Sequence, residues 1–217
     1  MADEKPTIDV MESAPFLVKG LEKLTDSEGR PVEFPEVAKE KGVLALCRCG
    51  QSEDKPFCDG THKEVGFSGN RERSGEGEAR EFAGAEITIV DDAASCCHAG
   101  ECVAGAEAVF FSWQGDERIP EPDKDTREAI IAAIRNCPSG ALAYKLEGKL
   151  HDIYFSEPEI RVSKDGPLEV RGGIGLNNPD GPGPRSGDHY ALCRCGASKN
   201  KPFCDGSHSA VGFSDEQ

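Results

Sequence analysis

The hydrophobic positions of this chain come in short runs of β-strand length. Residues 43–49, 86–90, 142–146 and 153–155 are each bounded by polar or glycine-containing segments, and several of them carry the β-branched residues that strands favour. One longer segment, 125–135, repeats its apolar residues with helical spacing and starts at a candidate N-cap aspartate. The pattern therefore predicts several small sheets and one amphipathic helix, in an α+β fold.

Two polar segments separate these runs. Residues 72–81 contain charged residues and glycines, which is typical of a linker, and residues 177–187 are rich in glycine and proline, which is typical of a loop. The glycines of the second segment have neither the spacing nor the strand-to-helix context of a nucleotide-binding fingerprint. Neither segment therefore predicts a nucleotide site.

A sixteen-residue pattern occurs twice in the chain. Residues 47–62 read CRCGQSEDKPFCDGTH, and residues 193–208 read CRCGASKNKPFCDGSH. The sequence VGFS follows both copies, and a looser match upstream begins at Pro15 and at Pro167. Such a repeat predicts two similar modules near the two ends, with a different segment between them.

Each copy brings together three thiols and one imidazole. Alternation along a strand places Cys47 and Cys49 on one face and Arg48 on the other, and a four-residue spacing places Cys58 and His62 on one side of a helical turn. Three cysteines and one histidine also suit a structural zinc ion, although zinc sites usually have a wider spacing between their first two ligands. The second copy repeats the set as Cys193, Cys195, Cys204 and His208.

The pattern resembles the CDGSH iron–sulfur family, the mitoNEET-like proteins, and both copies match it at every fixed position. The resemblance implies one 2Fe-2S cluster per copy, held by the three cysteines and the histidine. Family members with one motif are homodimers with interleaved strands, because a unit of roughly 60 residues buries little apolar surface alone. We therefore expect a monomer in which the two modules form an internal pseudo-dimer, with the segments that begin at Pro15 and Pro167 as exchanged strands.

The segment between the copies holds four further cysteines. Its C-x5-C spacing and its Cys-Pro sequence at Pro138 resemble the mono-cluster ferredoxins, although Ala99 occupies the place of the usual middle cysteine. The resemblance covers about residues 80–155 and implies a ferredoxin-like domain with a 3Fe-4S cluster, or a 4Fe-4S cluster if Cys97 or His98 is a fourth ligand. The expected ligands are Cys96, Cys102 and Cys137.

These assignments predict three domains. The first module covers residues 1–78, the ferredoxin-like domain covers residues 79–158 and the second module covers residues 159–217. No apolar run has the length of a signal peptide or of a membrane span. We therefore place the chain in a reducing cytoplasm, where we expect metal ligation and not disulfides, and the three sites use nine of the ten cysteines.

Charge narrows the choice of partner. The net charge of −15 argues against nucleic acid and anionic membranes and favours a redox partner protein with a basic docking surface. The sequence contains no pattern of nucleophile and base and no phosphate cradle, so we do not expect an enzyme. The expected function is electron transfer, with an iron–sulfur cluster donor or a redox or pH sensor as the alternative.

Overall fold

Short strands and very short helices make up the fold, as the α+β prediction requires. The computed structural model describes residues 5–74, 77–115, 117–179 and 181–216. The strands are β1 (Thr7–Asp9), β2 (Phe16–Lys19), β3 (Leu24–Thr25), β4 (Val43–Leu46), β5 (Arg80–Ala83), β6 (Thr88–Asp91), β7 (Trp113–Gln114), β8 (Glu117–Arg118), β9 (Leu142–Leu146), β10 (Lys149–His151), β11 (Glu159–Val162), β12 (Leu168–Arg171), β13 (Gly175–Asn177) and β14 (Tyr190–Leu192). The helices are α1 (Glu36–Lys41), α2 (Glu101–Gly105), α3 (Glu107–Phe110), α4 (Arg127–Arg135) and α5 (Ser207–Ala210), with 3-10 turns at Thr61–Lys63, Ala93–Ser95 and Pro122–Lys124.

Two four-stranded sheets carry the repeated sequences, which directly follow β4 and β14. We call β1 to β4 with the first repeat module 1, and β11 to β14 with the second repeat module 2. One sheet has the order β13-β1-β2-β4 and the other has the order β3-β11-β12-β14. At one edge of each sheet lies a strand from the other module, β13 in the first sheet and β3 in the second. This strand runs parallel to its neighbour, with Ile8 opposite Leu176 and Leu24 opposite Ile160. The two modules therefore complete each other's sheets.

The strands that cross between the modules are not those expected from the sequence. The segments that begin at Pro15 and Pro167 form β2 and β12, and these strands pair only with strands of their own module. The crossing strands are β3 and β13, which follow them. The physical reason is that β2 and β12 already have a partner on both sides, whereas β1 and β11 each have an open edge that another strand can cover.

One apolar core serves both modules. Alternate residues of β2 and β12 point inward, so that Phe16, Val18, Leu168 and Val170 are buried in the same cluster. A module of this size cannot bury enough apolar surface alone, and the shared core removes that limit. Other members of the core are Ile8, Leu24, Leu44, Leu46, Ile160, Ile174, Tyr190 and Leu192.

The central module, β5 to β10 with α2 to α4, has a core of its own. Its antiparallel sheet has the order β10-β9-β6-β5, and α4 packs on it through Ile130, Ala133 and Ile134. The predicted helix is confirmed, but Asp125 is not its N-cap. The Thr126 hydroxyl accepts the hydrogen bond from the Ala129 amide at 3.3 Å, so the helix begins one residue later than expected.

The other local predictions have mixed outcomes. The strands expected at 86–90 and 142–146 are β6 and β9. Residues 153–155 form no strand, because the amides of Tyr154 and Phe155 donate to the Asp188 carboxylate, and β10 occupies the edge of the sheet instead. The predicted linker and loop include residues 75–76 and 180, which lie outside the described residues. In the part of the chain that the structure describes, no helix is long and apolar enough to cross a bilayer.

Candidate metal centres

Site 1 consists of Cys47, Cys49, Cys58 and His62. The Sγ atoms of Cys47 and Cys49 lie 3.7 Å apart, and the Cys58 Sγ lies 3.3 Å from the His62 Nδ1. Backbone hydrogen bonds hold the two halves together, since the Cys58 amide donates to the Ala45 carbonyl at 3.0 Å. The strand and the turn of module 1 therefore present two pairs of ligand atoms to the same region.

The Asp-Gly sequence of the motif shapes the turn that carries Cys58 and His62. The Asp59 carboxylate accepts from the amides of Thr61 at 2.9 Å and Glu53 at 2.8 Å, and these backbone hydrogen bonds lower the pKa of Asp59 to about 2. Gly60 has φ +100°, a conformation that residues with a side chain rarely adopt. The motif thus fixes the backbone around the ligands as well as the ligands themselves.

Site 2 repeats this geometry in module 2. The Cys193 and Cys195 Sγ atoms are 3.7 Å apart, and the Cys204 Sγ lies 3.3 Å from the His208 Nδ1. The Asp205 carboxylate accepts from the amides of Ser207 and Lys199, as Asp59 does in module 1. The sequence-predicted ligands of both repeats are therefore brought together in the same arrangement.

The spacing of the ligand atoms fits a cluster with two irons. Two thiolates on one tetrahedral metal at about 2.3 Å stand about 3.8 Å apart, close to the 3.7 Å within each cysteine pair. Donors grouped as two pairs suit two adjacent irons better than a single zinc ion.

Thiolate is the form in which cysteine binds metal. Within each cysteine pair the hydrogen bond lowers the pKa of one thiol, Cys47 or Cys195, and raises the pKa of its partner, Cys49 or Cys193. Burial lowers the pKa of His208, which keeps its imidazole neutral and able to bind metal. By contrast, burial raises the pKa of Cys204 to about 12.

Each cysteine pair has a buried arginine between its two members. Arg48 donates to the carbonyls of Met11 at 2.5 Å and Ala14 at 3.1 Å, and its guanidinium lies 4.7 Å from the centre of the Phe16 ring. This confirms that Arg48 points away from the cysteines on either side of it. The contacts anchor the cysteine pair to the segment before β2.

Arg194 makes the equivalent contacts in module 2. It donates to the carbonyls of Ser163 and Gly166 at 2.5 and 2.7 Å, and its guanidinium lies 4.9 Å from the Phe213 ring centre. It also forms an ion pair with Asp215. In both modules the arginine donates to backbone carbonyls, but among the described residues only the arginine of module 2 is paired with a carboxylate.

The central site gathers Cys96, Cys102 and Cys137 around one small cavity. The Arg118 Nη1 lies 3.5 Å from the Cys102 Sγ, and Arg118 is also paired with Asp91, whose side chain is only 1% exposed. The sequence gives no signal for Arg118, because it lies on β8, sixteen residues beyond Cys102. Its positive charge can stabilise thiolate at this site.

Cys97 and His98, the two candidates for a fourth central ligand, both line the central cavity but differ in burial. Cys97 is 2% exposed and packs with Ala191 and Cys204 of module 2, and this burial raises its pKa. His98 is exposed and has φ +55°. Its backbone amide lies 3.4 Å from the Cys96 Sγ.

Module 2 is packed against the central module. The Asn200 side chain donates to the Ala94 carbonyl at 3.3 Å and accepts from Arg71 Nε at 3.0 Å. The amides of Glu72 and Arg73 donate to the Lys199 carbonyl, so part of the predicted linker is fixed on module 2. Site 2 and the central site consequently lie at one boundary.

Comparison with known proteins gives matches over most of the chain. Residues 13–63 and 165–209 match the family model described as iron-binding zinc finger, CDGSH type, and residues 82–147 match the model described as divergent 4Fe-4S mono-cluster. These matches confirm the order inferred from the residues, in which two CDGSH segments flank a mono-cluster segment.

Among curated proteins, the chain is similar to the uncharacterized protein YjdI of Escherichia coli strain K12. The two are 33% identical over 72 residues, which are 32% of this chain and 90% of that protein. The YjdI protein of Escherichia coli O157:H7 matches with the same values. No solved structure matches the chain.

Proposed function

We propose that this chain, which belongs to the CDGSH-type iron-binding family and carries two modules of that family around a divergent mono-cluster module, is an electron-transfer protein. We assign a 2Fe-2S cluster to site 1 and another to site 2. We assign a 3Fe-4S cluster to the central site, on Cys96, Cys102 and Cys137, or a 4Fe-4S cluster if Cys97 or His98 is a fourth ligand. When bound, such clusters accept and release single electrons.

The observation that carries this proposal is the rigid, paired presentation of the ligands. In both repeats the donor atoms keep the same 3.7 and 3.3 Å spacings. A serine hydroxyl also ties each loop to its turn, from Ser52 to the Phe57 carbonyl and from Ser198 to the Phe203 carbonyl, both at 2.7 Å. Ligands that are held in place move little when the charge of the site changes, which favours fast electron transfer.

We also propose that the modules form an internal pseudo-dimer in a monomeric chain. The reciprocal crossing of β3 and β13 and the shared core support this arrangement. The close approach of the two cysteine loops also supports it. Cys49 pairs with Cys195, and a Cβ on Gly50 would lie 2.5 Å from the Cys195 carbonyl oxygen. For the central module we propose a ferredoxin-like fold, on the basis of its antiparallel sheet and its Cys-Pro ligand.

The proposed partner is a protein with a basic docking surface, met in the cytoplasm, and the chain itself is not an enzyme. The acidic side chains Glu53, Asp54, Asp59 and Glu64 are exposed around site 1. Complementary charge would steer a basic protein to this face and raise the rate of encounter. Site 1 is therefore the proposed place of electron exchange with the partner.

A second candidate function, donation of a cluster to an apo-protein, rests on the openness of site 1. A Cβ on Gly60 would meet no atom within 4 Å, and Cys58 is only half-buried. An acceptor protein could reach Cys58 of site 1 directly, whereas His62 is buried behind it. In such a role the imidazole would be the ligand easiest to release, because protonation competes with metal binding.

Repeated redox cycling with an iron count tests the electron-transfer proposal. Protein prepared without oxygen should hold about eight irons with a 4Fe-4S centre, or about seven with 3Fe-4S, and matching acid-labile sulfide. It should pass through repeated one-electron reduction and oxidation without losing iron. Stoichiometric zinc with little sulfide would refute the assignment, and iron release in each cycle with transfer to an apo-ferredoxin would favour the donor.

A further inference from the structure

Site 2 and the central site meet directly. The Cys97 side chain, next in the chain to the predicted central ligand Cys96, is buried with Cys204, a predicted ligand of site 2. On the same loop, a Cβ on Gly206 would lie 3.2 Å from the Cys97 carbonyl oxygen and 3.1 Å from the His98 Cβ. Cys97 and His98 therefore lie between predicted ligands of the central site and predicted ligands of site 2.

In the part of the chain that the structure describes, the corresponding loop of module 1 has no such neighbour. Gly60 is the counterpart of Gly206 and has the same kind of backbone, with φ +100° against +85°, yet a Cβ there would meet no atom within 4 Å. On its other side, site 1 is joined to site 2 by the Cys49 and Cys195 pairing. The three sites thus follow one another in the order site 1, site 2 and central site.

We infer that site 2 and the central site are built as one coupled pair, in which Cys97 is the contact between them and not a ligand. This inference rests on the proposed electron-transfer function and assigns the middle position to site 2. In the step it implies, one electron leaves site 2 and arrives at the central site. Site 2 is oxidised by one unit and the central site is reduced by one unit, and no bond forms or breaks.

Burial and side-chain chemistry support the role given to Cys97. Its neighbours in the buried cluster are Ala191 and Cys204, both on module 2. A small, polarisable side chain fills such a boundary closely.

Electron paramagnetic resonance tests the contact. Protein reduced with dithionite should show a magnetic interaction between the central cluster and a 2Fe-2S cluster. Gly206→Ala should weaken this interaction, because the added methyl group pushes the site 2 loop away from Cys97 and His98. The matched control Gly60→Ala adds the same backbone strain at a position that faces open space and should leave the interaction unchanged.

Two variants of Cys97 make the test independent of the motif loop. Cys97→Ala should keep the iron and sulfide content of the unaltered protein, and Cys97→Leu should weaken the magnetic interaction by widening the boundary. Loss of an iron in Cys97→Ala, or equal interaction in the unaltered, Gly206→Ala and Cys97→Leu proteins, would overturn the inference. A protein without iron and sulfide would instead refute the proposed function, so the two failures are distinguishable.

Discussion

Modules 1 and 2 hold their predicted ligands in the same way but compensate charge differently. The buried arginines Arg48 and Arg194 use equivalent carbonyl anchors, yet only Arg194 has a carboxylate partner, Asp215. The position equivalent to Asp215 in module 1 is Gly69, where a Cβ would collide with the Glu12 carbonyl oxygen. Among the described residues, Arg48 has carbonyls and aromatic rings but no carboxylate as partners, and burial lowers its pKa to about 10.

The loops of the two repeats also differ in what surrounds them. Glu53 and Asp54 of module 1 are exposed, whereas their counterparts Lys199 and Asn200 contact the segment before the central module and the central module itself. The motif positions thus determine how a cluster is held, and the positions between them determine what each module faces. At these positions module 1 faces solvent, whereas module 2 contacts the central module and the segment before it.

The largest expected effect comes from removing the cysteine pair of one site at a time. Cys47→Ser with Cys49→Ser, and Cys193→Ser with Cys195→Ser, should each remove one 2Fe-2S cluster. Only the second variant should also shift the midpoint potential and the magnetic signal of the central cluster, because only site 2 borders it. Iron analysis and a redox titration of each protein measure this, and equal shifts in both variants would contradict the comparison.

Asp215→Asn should have the next largest effect, because it gives module 2 the uncompensated arginine of module 1. We expect a loss of about 1–3 kcal/mol in the free energy of unfolding at neutral pH, since a buried guanidinium loses its charged partner. Burial acts to raise the pKa of Asp215, but the hydrogen bonds and the charge of Arg194 lower it overall.

The sign of the pH dependence follows from that lowered pKa. The stability that Asp215 contributes is fully present above about pH 4, the unfolded value for aspartate, and is lost as the pH falls through the lower folded value. The difference between the unaltered and Asp215→Asn proteins should therefore close in acid. Denaturant titrations at several pH values measure it, with the exposed Asp54→Asn as the control that should change little. A difference that persists in acid would exclude this origin.

The smallest expected effect concerns encounter with a partner. Glu53→Lys with Asp54→Asn gives module 1 the residue types of module 2 at these positions. The second-order rate constant of electron transfer to cytochrome c, a basic probe protein, should fall by roughly tenfold at low ionic strength and by less at high salt. Glu147→Lys, in the turn between β9 and β10, should have a weaker effect. Equal slowing in both variants would assign the effect to net charge and not to the site 1 face.

The sequence predicted which residues form the ligand pairs of each site. It did not predict the contacts between elements that are far apart in the chain. Strand alternation and the four-residue spacing predicted the pairing of Cys47 with Cys49 and of Cys58 with His62, because those are short-range properties of the backbone. The crossing of β3 was not predictable, since two residues carry no periodic signal. Arg118 was missed because its approach to Cys102 depends on how β8 lies against α2. The partner of Arg194 was missed because Asp215 lies beyond the recognised pattern.

The reciprocal crossing of β3 and β13 has a consequence for synthesis of the chain. Asp9 on β1 bonds to Asn177 on β13, 168 residues later, so the first sheet cannot close until most of the polypeptide has left the ribosome. The central sheet pairs strands that are much closer together in the chain. Contacts of short range form faster than contacts of long range. The central module is therefore expected to mature first during translation, and both end modules are completed together, as the last residues emerge.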